Sequence, residues 1–279
     1  MADALRHRPS ISWSDRFRLY RMILAARIRS DWQYRVSFLA LLVSQVGAVG
    51  LDLVAIAVVL QLVPDLGGWT AAEVAFLYGL ATLPFGISDV FVSTVDRVSN
   101  YVRDGSMDRV LLRPVPALLQ ISALEFELRR AGKLVPAVAA LVWSLPRVDV
   151  SWTAGQIAVL VMALCCGTVI YSALWVMAAS MSFWTISSKE ALNAVTYGGQ
   201  FANQYPLHIY RNWVRAVLGW GIPLAFVAYV PSTYILDATN PLGLPRWLVL
   251  TSVPVAGAAA AVAGLIWRTG IRHYQSTGS

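Results

Sequence analysis

Apolar and polar positions in this chain fall into long blocks, with little short-period alternation. Apolar stretches cover residues 36–63, 73–95, 154–182 and 246–267. Each exceeds or approaches the roughly 20 residues a helix needs to cross a bilayer. A fifth, at about 214–236, contains VLGWGIPLAFVAYVPSTYIL. Its two prolines predict a kinked or broken helix, which a membrane tolerates only against protein or water. A sixth, LVPAVAALVWSL at 134–145, is short, and a helix reaching back through Glu125, Glu127, Arg129 and Arg130 leaves the bilayer early. The expected fold is therefore an all-α integral membrane protein of six transmembrane helices.

Composition agrees with that pattern. Hydrophobic residues make up 57% of the 279 and charged residues 13%, half the share of about 25% usual in soluble domains. No polar stretch is long enough for a separate soluble domain, and every lysine and arginine lies outside the long apolar runs or, as Arg215 and Arg246 do, at the edge of one. The net charge of +7 reads as basic loops beside membrane spans and anionic lipid, with no nucleic-acid partner. Cys165 and Cys166 are adjacent within an apolar run and read as small apolar fillers. His7, His208 and His273 are scattered without metal-ligand spacing. The first apolar run sits behind an arginine-rich leader and lacks an early small-residue cleavage site, so no cleavable signal peptide is expected.

Charge bias sets the orientation. With six spans and the N-terminus inside, the segments 1–35, 96–133, 183–215 and 268–279 hold 20 Lys/Arg, against Arg147 and Arg246 outside. Were 134–145 not a span, the division would be 17 to 5, a weaker positive-inside pattern. Both termini are then cytoplasmic. The domain plan is a cytoplasmic N-terminal segment (1–35), a six-span region (36–267) with a cytoplasmic loop at 96–133, and a cytoplasmic tail (268–279). Residues 13–30 predict a helix capped by Ser12 or Ser14. Trp13, Phe17, Tyr20, Leu24 and Ile28 recur at helical spacing, with arginines flanking the stripe, as in an amphipathic helix lying in the membrane interface. Leu19, Met22 and Ile23 on its back face predict a second contact, with protein.

The inner loop holds YVRDGSMDRVLLRPVP (Tyr101 to Pro116). Gly105 can end one helix and Ser106 cap the next, with Asp108 in its first turn. Pro114 disfavours helix at Arg113, and Pro116 can open another helix. What remains is a two-turn helix, Met107 to Leu112. Met107, Val110 and Leu111 share a face, with Arg109 and Arg113 beside it. A helix this short is unstable alone in water and must dock on something: a partner protein, its own chain or lipid headgroups.

RVSNYVRDGSMDRVLLRPVPALLQ resembles the inner-loop signature of permease subunits of bacterial type-2 ATP-binding-cassette exporters: a Val-Arg-x-Gly run leading into Asp-x-x-Leu-x-Arg-Pro. The segments beginning FLALLVSQVGAVG and FWTISSKEALNAV agree with that family, so the resemblance covers most of the chain. Met107 stands where leucine is expected. The resemblance implies a half-transporter of the bacterial plasma membrane in which Met107, Asp108, Arg109, Val110, Leu111 and Arg113 form a coupling helix. It also implies two copies of a cytosolic ATP-binding cassette subunit as partners and a second permease, identical or paralogous. ATP and Mg would be bound by that ATPase, and this chain would carry no cofactor. No G-x-x-x-x-G-K-[ST] occurs; TYGGQ (196–200) reads as glycines relaxing a helix end.

Asp52 and Asp89 lie inside apolar runs, where ionisable groups are expensive. They read as a cation-attracting lining of the transport path or a proton-sensitive gate, or as groups bonded to Ser44, Gln45, Ser88 or another helix. Gly257, Ala261 and Gly264 predict close helix packing. Two alternatives stand beside the exporter. A membrane enzyme for lipid-linked substrates needs convergent acids, histidines or a metal set; an ion-driven secondary transporter predicts inverted repeats.

Overall fold

The computed structural model describes residues 13–62, 66–113, 115–124, 126–185, 188–237 and 242–274, and no strand occurs among them. Helix α1 (Trp13–Gln33) meets α2 (Arg35–Leu62) across Tyr34 alone, whose carbonyl accepts from the Phe38 amide at 2.9 Å. α2 is nearly bare: Val36, Leu51 and Leu62 are 79%, 69% and 78% exposed. An apolar surface of that length needs lipid or another chain against it. Among the described residues, four helices are long and apolar enough to cross a bilayer: Arg35–Val59, Ala71–Phe91, Ala154–Phe183 and Arg246–His273.

Helix α3 (Ala71–Phe91) is the opposite of α2, buried along almost its whole length. It begins with a Thr-x-x-Glu capping box. The Thr70 amide donates to Glu73 at 2.7 Å, and the Glu73 amide returns to Thr70 Oγ1 at 3.4 Å, satisfying amides that a helix start leaves orphaned. From its far end a 3-10 turn (Ser93–Arg97) leads to α4 (Val98–Arg103), α5 (Met107–Leu112), α6 (Ala117–Leu124), a second 3-10 run (Leu128–Lys133) and α7 (Leu134–Ser144).

α7 runs antiparallel to α3 in a fixed register. A Cβ on Gly79 would stand 2.8 Å from Leu141 Cβ, and one on Gly86 would stand 2.7 Å from Leu134 Cδ2. Glycines seven apart on α3 thus meet leucines seven apart on α7, and only glycine lets the backbones come this close. The sequence expected a doubtful twelve-residue span here. The 3-10 run extends it, since that conformation rises about 2.0 Å per residue against 1.5 Å in an α-helix, so 128–144 covers roughly 28 Å.

Helix α8 (Ala154–Ser180) also opens on a capping box, Thr153 with Gln156. It packs on α3 through aromatic contacts such as Phe85 to Tyr171, 5.2 Å between centroids. After a 3-10 turn (Met181–Phe183) comes α9 (Ser188–Asn203). It starts where Trp184 stacks on His273, and it leads to His208, which bonds the Gly67 carbonyl in the α2–α3 connection at the opposite end. α9 therefore runs the length of the bundle.

The helix expected to be kinked or broken at 214–236 is broken. α10 (Asn212–Ala216) continues into a π-turn (Val217–Gly221). After Ile222, Pro223–Phe226 and α11 (Tyr229–Leu236) follow, bent 70° from the first limb. Arg215 binds the Tyr210 carbonyl at 2.7 Å at one end of the segment, and the Ile235 carbonyl accepts from Gln156 at 3.4 Å at the other. Both ends thus lie at the end of the bundle that holds the α2–α3 connection. Its tip goes inward: Val227 and Pro84 close on Gly167, and Leu224 closes on Gly199. Gly167 is roughly 20 Å along α8 at 1.5 Å per residue. The segment enters, turns and returns, and the proline-broken backbone sits against protein. TYGGQ lies inside α9 and not at a helix end.

A last 3-10 run (Arg246–Thr251) leads into α12 (Ser252–His273), which packs along α8 through residues such as Ala263 and Trp267. The expected close packing of Gly257 and Gly264 is not found among the described residues, none of which would come within 4 Å of a Cβ at either position. Cys165 is exposed and Cys166 buried, both free thiols.

Candidate functional site

At the end opposite the α2–α3 connection, three short helices form a compact platform. Gly105 ends α4 at φ +66°, the left-handed geometry glycine takes without a Cβ clash. α5 spans Met107–Leu112 as expected, and Arg113 turns extended at φ −75°, ψ 145°, as a residue before proline should. The Pro116 carbonyl accepts the first bond of α6, from the Gln120 amide at 3.0 Å. Ser106 departs from expectation. It has helical backbone angles and makes no side-chain cap, and the Gly105 carbonyl accepts the Asp108 amide at 3.4 Å instead.

The apolar face of α5 is turned into its own chain. Met107 is 0% and Val110 4% exposed, both in the hydrophobic core, with Leu111 packed against it. Of the docking surfaces open to the sequence, this face takes its own protein. Arg109, Arg113 and Leu112, the last 78% exposed, face outward. Asp108 lies within electrostatic reach of Tyr274, just past the end of α12: burial and then the Asp108 carboxylate push the Tyr274 phenol above its usual range.

Behind the platform lies a buried ion-pair cluster. Asp89, 0% exposed near the end of α3, accepts from Arg130 at 2.9 Å and Lys133 at 2.7 Å. The α3–α7 register dictates this, because the pairing of 86 with 134 puts 89 opposite 131, between the two cations. Glu127 binds Arg130 at 2.8 Å, Arg129 at 3.0 Å and also Arg97. Burial pushes the Glu127 carboxyl up, but the bonds and charges of Arg130 and Arg129 outweigh it and hold it below the usual range. Lys133 also lies over the Tyr197 ring of α9 at 5.4 Å, a cation–π contact. The cluster joins α3, α7, α9 and both flanks of the platform.

Asp89 is thus bonded to a neighbouring helical segment, the structural alternative the sequence left open, with both its oxygens engaged. Asp52 is different. It is half-buried on α2, within electrostatic reach of the Tyr78 and Tyr205 phenols. Tyr78 donates to the Val49 carbonyl at 3.1 Å, and Gln204 donates to Thr82 at 3.4 Å. This polar column sits between α2, α3 and the end of α9.

At the far end, His208 is a clasp. With its proton on Nε2 it donates to the Gly67 carbonyl at 3.0 Å, while Nδ1 accepts from the Tyr229 hydroxyl at 3.3 Å. Trp69 stacks on Tyr229 at 5.8 Å. Burial, reinforced by the Arg215 charge, holds the imidazole below its ordinary range despite the Gly67 carbonyl.

On α1, Tyr20 and Ile28 are half-buried while Arg18, Arg21 and Arg29 are exposed, and the helix packs on α6. Met22 is 61% exposed. The side chains of Trp13, Phe17, Leu19, Ile23 and Leu24 lie outside the described residues. Sequence reasoning missed the Asp89 cluster and the His208 clasp. The signal for the first was present, since Glu127, Arg130 and Lys133 precede the apolar run that follows the inner loop, and Asp89 ends the apolar run before that loop. A lone histidine gave none for the second. A family model described as ABC-2 family transporter protein matches residues 46–278, while no curated protein and no solved structure matches the chain.

Proposed function

The chain belongs to the ABC-2 transporter family, and from that premise we propose that it is a permease subunit of an exporter, driven through α5 by a separate cytosolic ATPase. At the coarser level, it is a multi-pass membrane protein and a transport component that associates with an ATP-binding cassette subunit. The finer reading gives six crossings: α2, α3, α7 with its 3-10 run, α8, α9 and α12. The 212–236 segment is re-entrant from outside. Eighteen of the 22 Lys/Arg then lie inside, against Arg147, Arg211, Arg215 and Arg246 outside, which supports cytoplasmic termini.

The observation that carries the reading is α5 itself. Its inward face is rooted in the core, and its outward face offers Arg109, Leu112 and Arg113. A push on that outward face is transmitted through Met107 and Val110, with little to absorb it locally. The Asp89 and Glu127 pairs tie the two flanks of the platform to α3 and α7, so displacement reaches the crossings. Two ATPase copies bind ATP and Mg and supply that push, and a second permease, identical or paralogous, completes the pore. The cargo is amphipathic or hydrophobic, and it leaves the cytoplasm or inner leaflet.

Co-purification tests this. Arg109→Glu/Leu112→Asp should leave a folded, membrane-inserted permease that no longer brings down the ATPase. Met107→Asp should lose the folded platform as well, because it buries a charge. Retention of the ATPase by the outward double variant overturns the coupling role of α5.

A further inference from the structure

A pocket of about 250 Å³ opens where α1 passes into α2, across from the 3-10 run that begins α7. Ser30, Tyr34 and Ser37 follow one another at spacings of four and three, which stacks three hydroxyls on one face of the nearly continuous helix. Phe38 and Leu41 continue that wall toward the bilayer, and Arg129 stands opposite. The lining is thus polar at one end and apolar at the other. Glu127 also touches the pocket, but it is divided among Arg97, Arg129 and Arg130. Arg129 is joined to it through one nitrogen at 3.0 Å and is 39% exposed, so a positive group still faces the opening.

We infer that this pocket binds the phosphate of an anionic phospholipid, with Arg129 and the Ser30, Tyr34 and Ser37 hydroxyls on the headgroup and the acyl chains lying along Phe38 and Leu41. Charge selects an anionic ligand, and hydroxyl and guanidinium donors match phosphate oxygens. The apolar wall continues onto the exposed surface of α2, which a free phosphate does not use. The position, between an interface helix and the first crossing, is the depth at which headgroups lie. Such a lipid would brace the α1–α2 hinge against the α7 segment, and it is separate from the α5 surface.

Native mass spectrometry of the full-length, delipidated protein decides it, with phosphatidylglycerol, phosphatidylcholine or inorganic phosphate added. The expected result is one retained phosphatidylglycerol per chain, with phosphatidylcholine at least about fivefold weaker, the factor that one basic residue near an anionic headgroup contributes. Arg129→Gln should weaken phosphatidylglycerol by a similar factor. Ser37→Leu should do so without touching any ion pair, so it alone decides if Arg129→Gln fails to fold. Equal binding of the two lipids, or phosphatidylglycerol binding unchanged in Ser37→Leu, overturns the inference. Displacement of the lipid by millimolar inorganic phosphate also overturns it, by assigning the pocket to free phosphate. The readout is binding, so it stands or falls independently of transport.

Discussion

Asp89 has no water to fall back on, and its two cations are themselves mostly enclosed, at 17% and 15% exposure. Removing one partner of a buried pair leaves charge stranded, at a cost of about 3–5 kcal/mol. Asp89→Ala should therefore lower thermal stability in detergent sharply, and adding Lys133→Met should recover part of the loss. Strictly additive effects of the two substitutions would show that the pair is not coupled. His208 sets a different residue-scale expectation, in pH. Its folded-state affinity for protons lies below that of the free side chain, near 6.5, so the folded chain binds fewer protons than the unfolded one. Its stabilising contribution is complete above about pH 6.5 and declines as pH falls below it. Solvent access keeps the effect small. Melts of wild type and His208→Gln from pH 8 to pH 5 should show the steeper acid-side decline in wild type. Equal slopes would remove His208 as the titrating clasp.

At the scale of elements, what could be read from the sequence depended on which solvent each helix meets. The ends of α5 are set by Gly105 and by Pro114, local backbone constraints that need no knowledge of the rest of the chain, and its bounds were legible. The direction of its apolar face was not, because Met107 and Val110 fit a partner groove or their own core equally well. α9 was missed for a related reason. Thr196, Asn203 and Gln204 are buried, while Val195 and Phe201 are 42% and 51% exposed. Polar groups turned inward to meet partners such as Tyr171, 3.3 Å from Asn203, are correct for a helix in lipid, yet they lower its mean hydropathy. The 214–236 stretch reads as more apolar because it is wrapped by protein at its tip. Packing between elements was equally hidden. Gly79 and Gly257 look alike in sequence, but only Gly79 has a neighbour. Gly79→Leu should destabilise by at least about 1–3 kcal/mol through forced separation of α3 and α7. Gly257→Ala in the same melts should stay within about 0.5 kcal/mol. Similar losses at both positions would contradict the α3–α7 contact.

For the whole molecule, the decisive question is on which side of the membrane the chain lies between α9 and α10. Reading 214–236 as a span keeps Arg211 and Asn212 in the cytoplasm. Running α9 through the bundle puts them outside, and total charge does not decide between the two, because moving Arg211 and Arg215 still leaves a strong inner excess of Lys/Arg. Two bonds favour the second reading: His208 to Gly67, and Gln156 to Ile235, gather both ends of the 212–236 segment beside the α2–α3 connection. Asn212 is exposed and sits in no ion pair among the described residues, so it accepts a reporter. In a background with Cys165 and Cys166 replaced by alanine, Asn212→Cys should react with a membrane-impermeant maleimide in intact cells. Leu112→Cys on the outward face of α5 should react only after permeabilisation. Labelling of both positions from the same side is incompatible with α9 crossing the bilayer. It would return the fifth crossing to 214–236 and place the 70° bend inside a span.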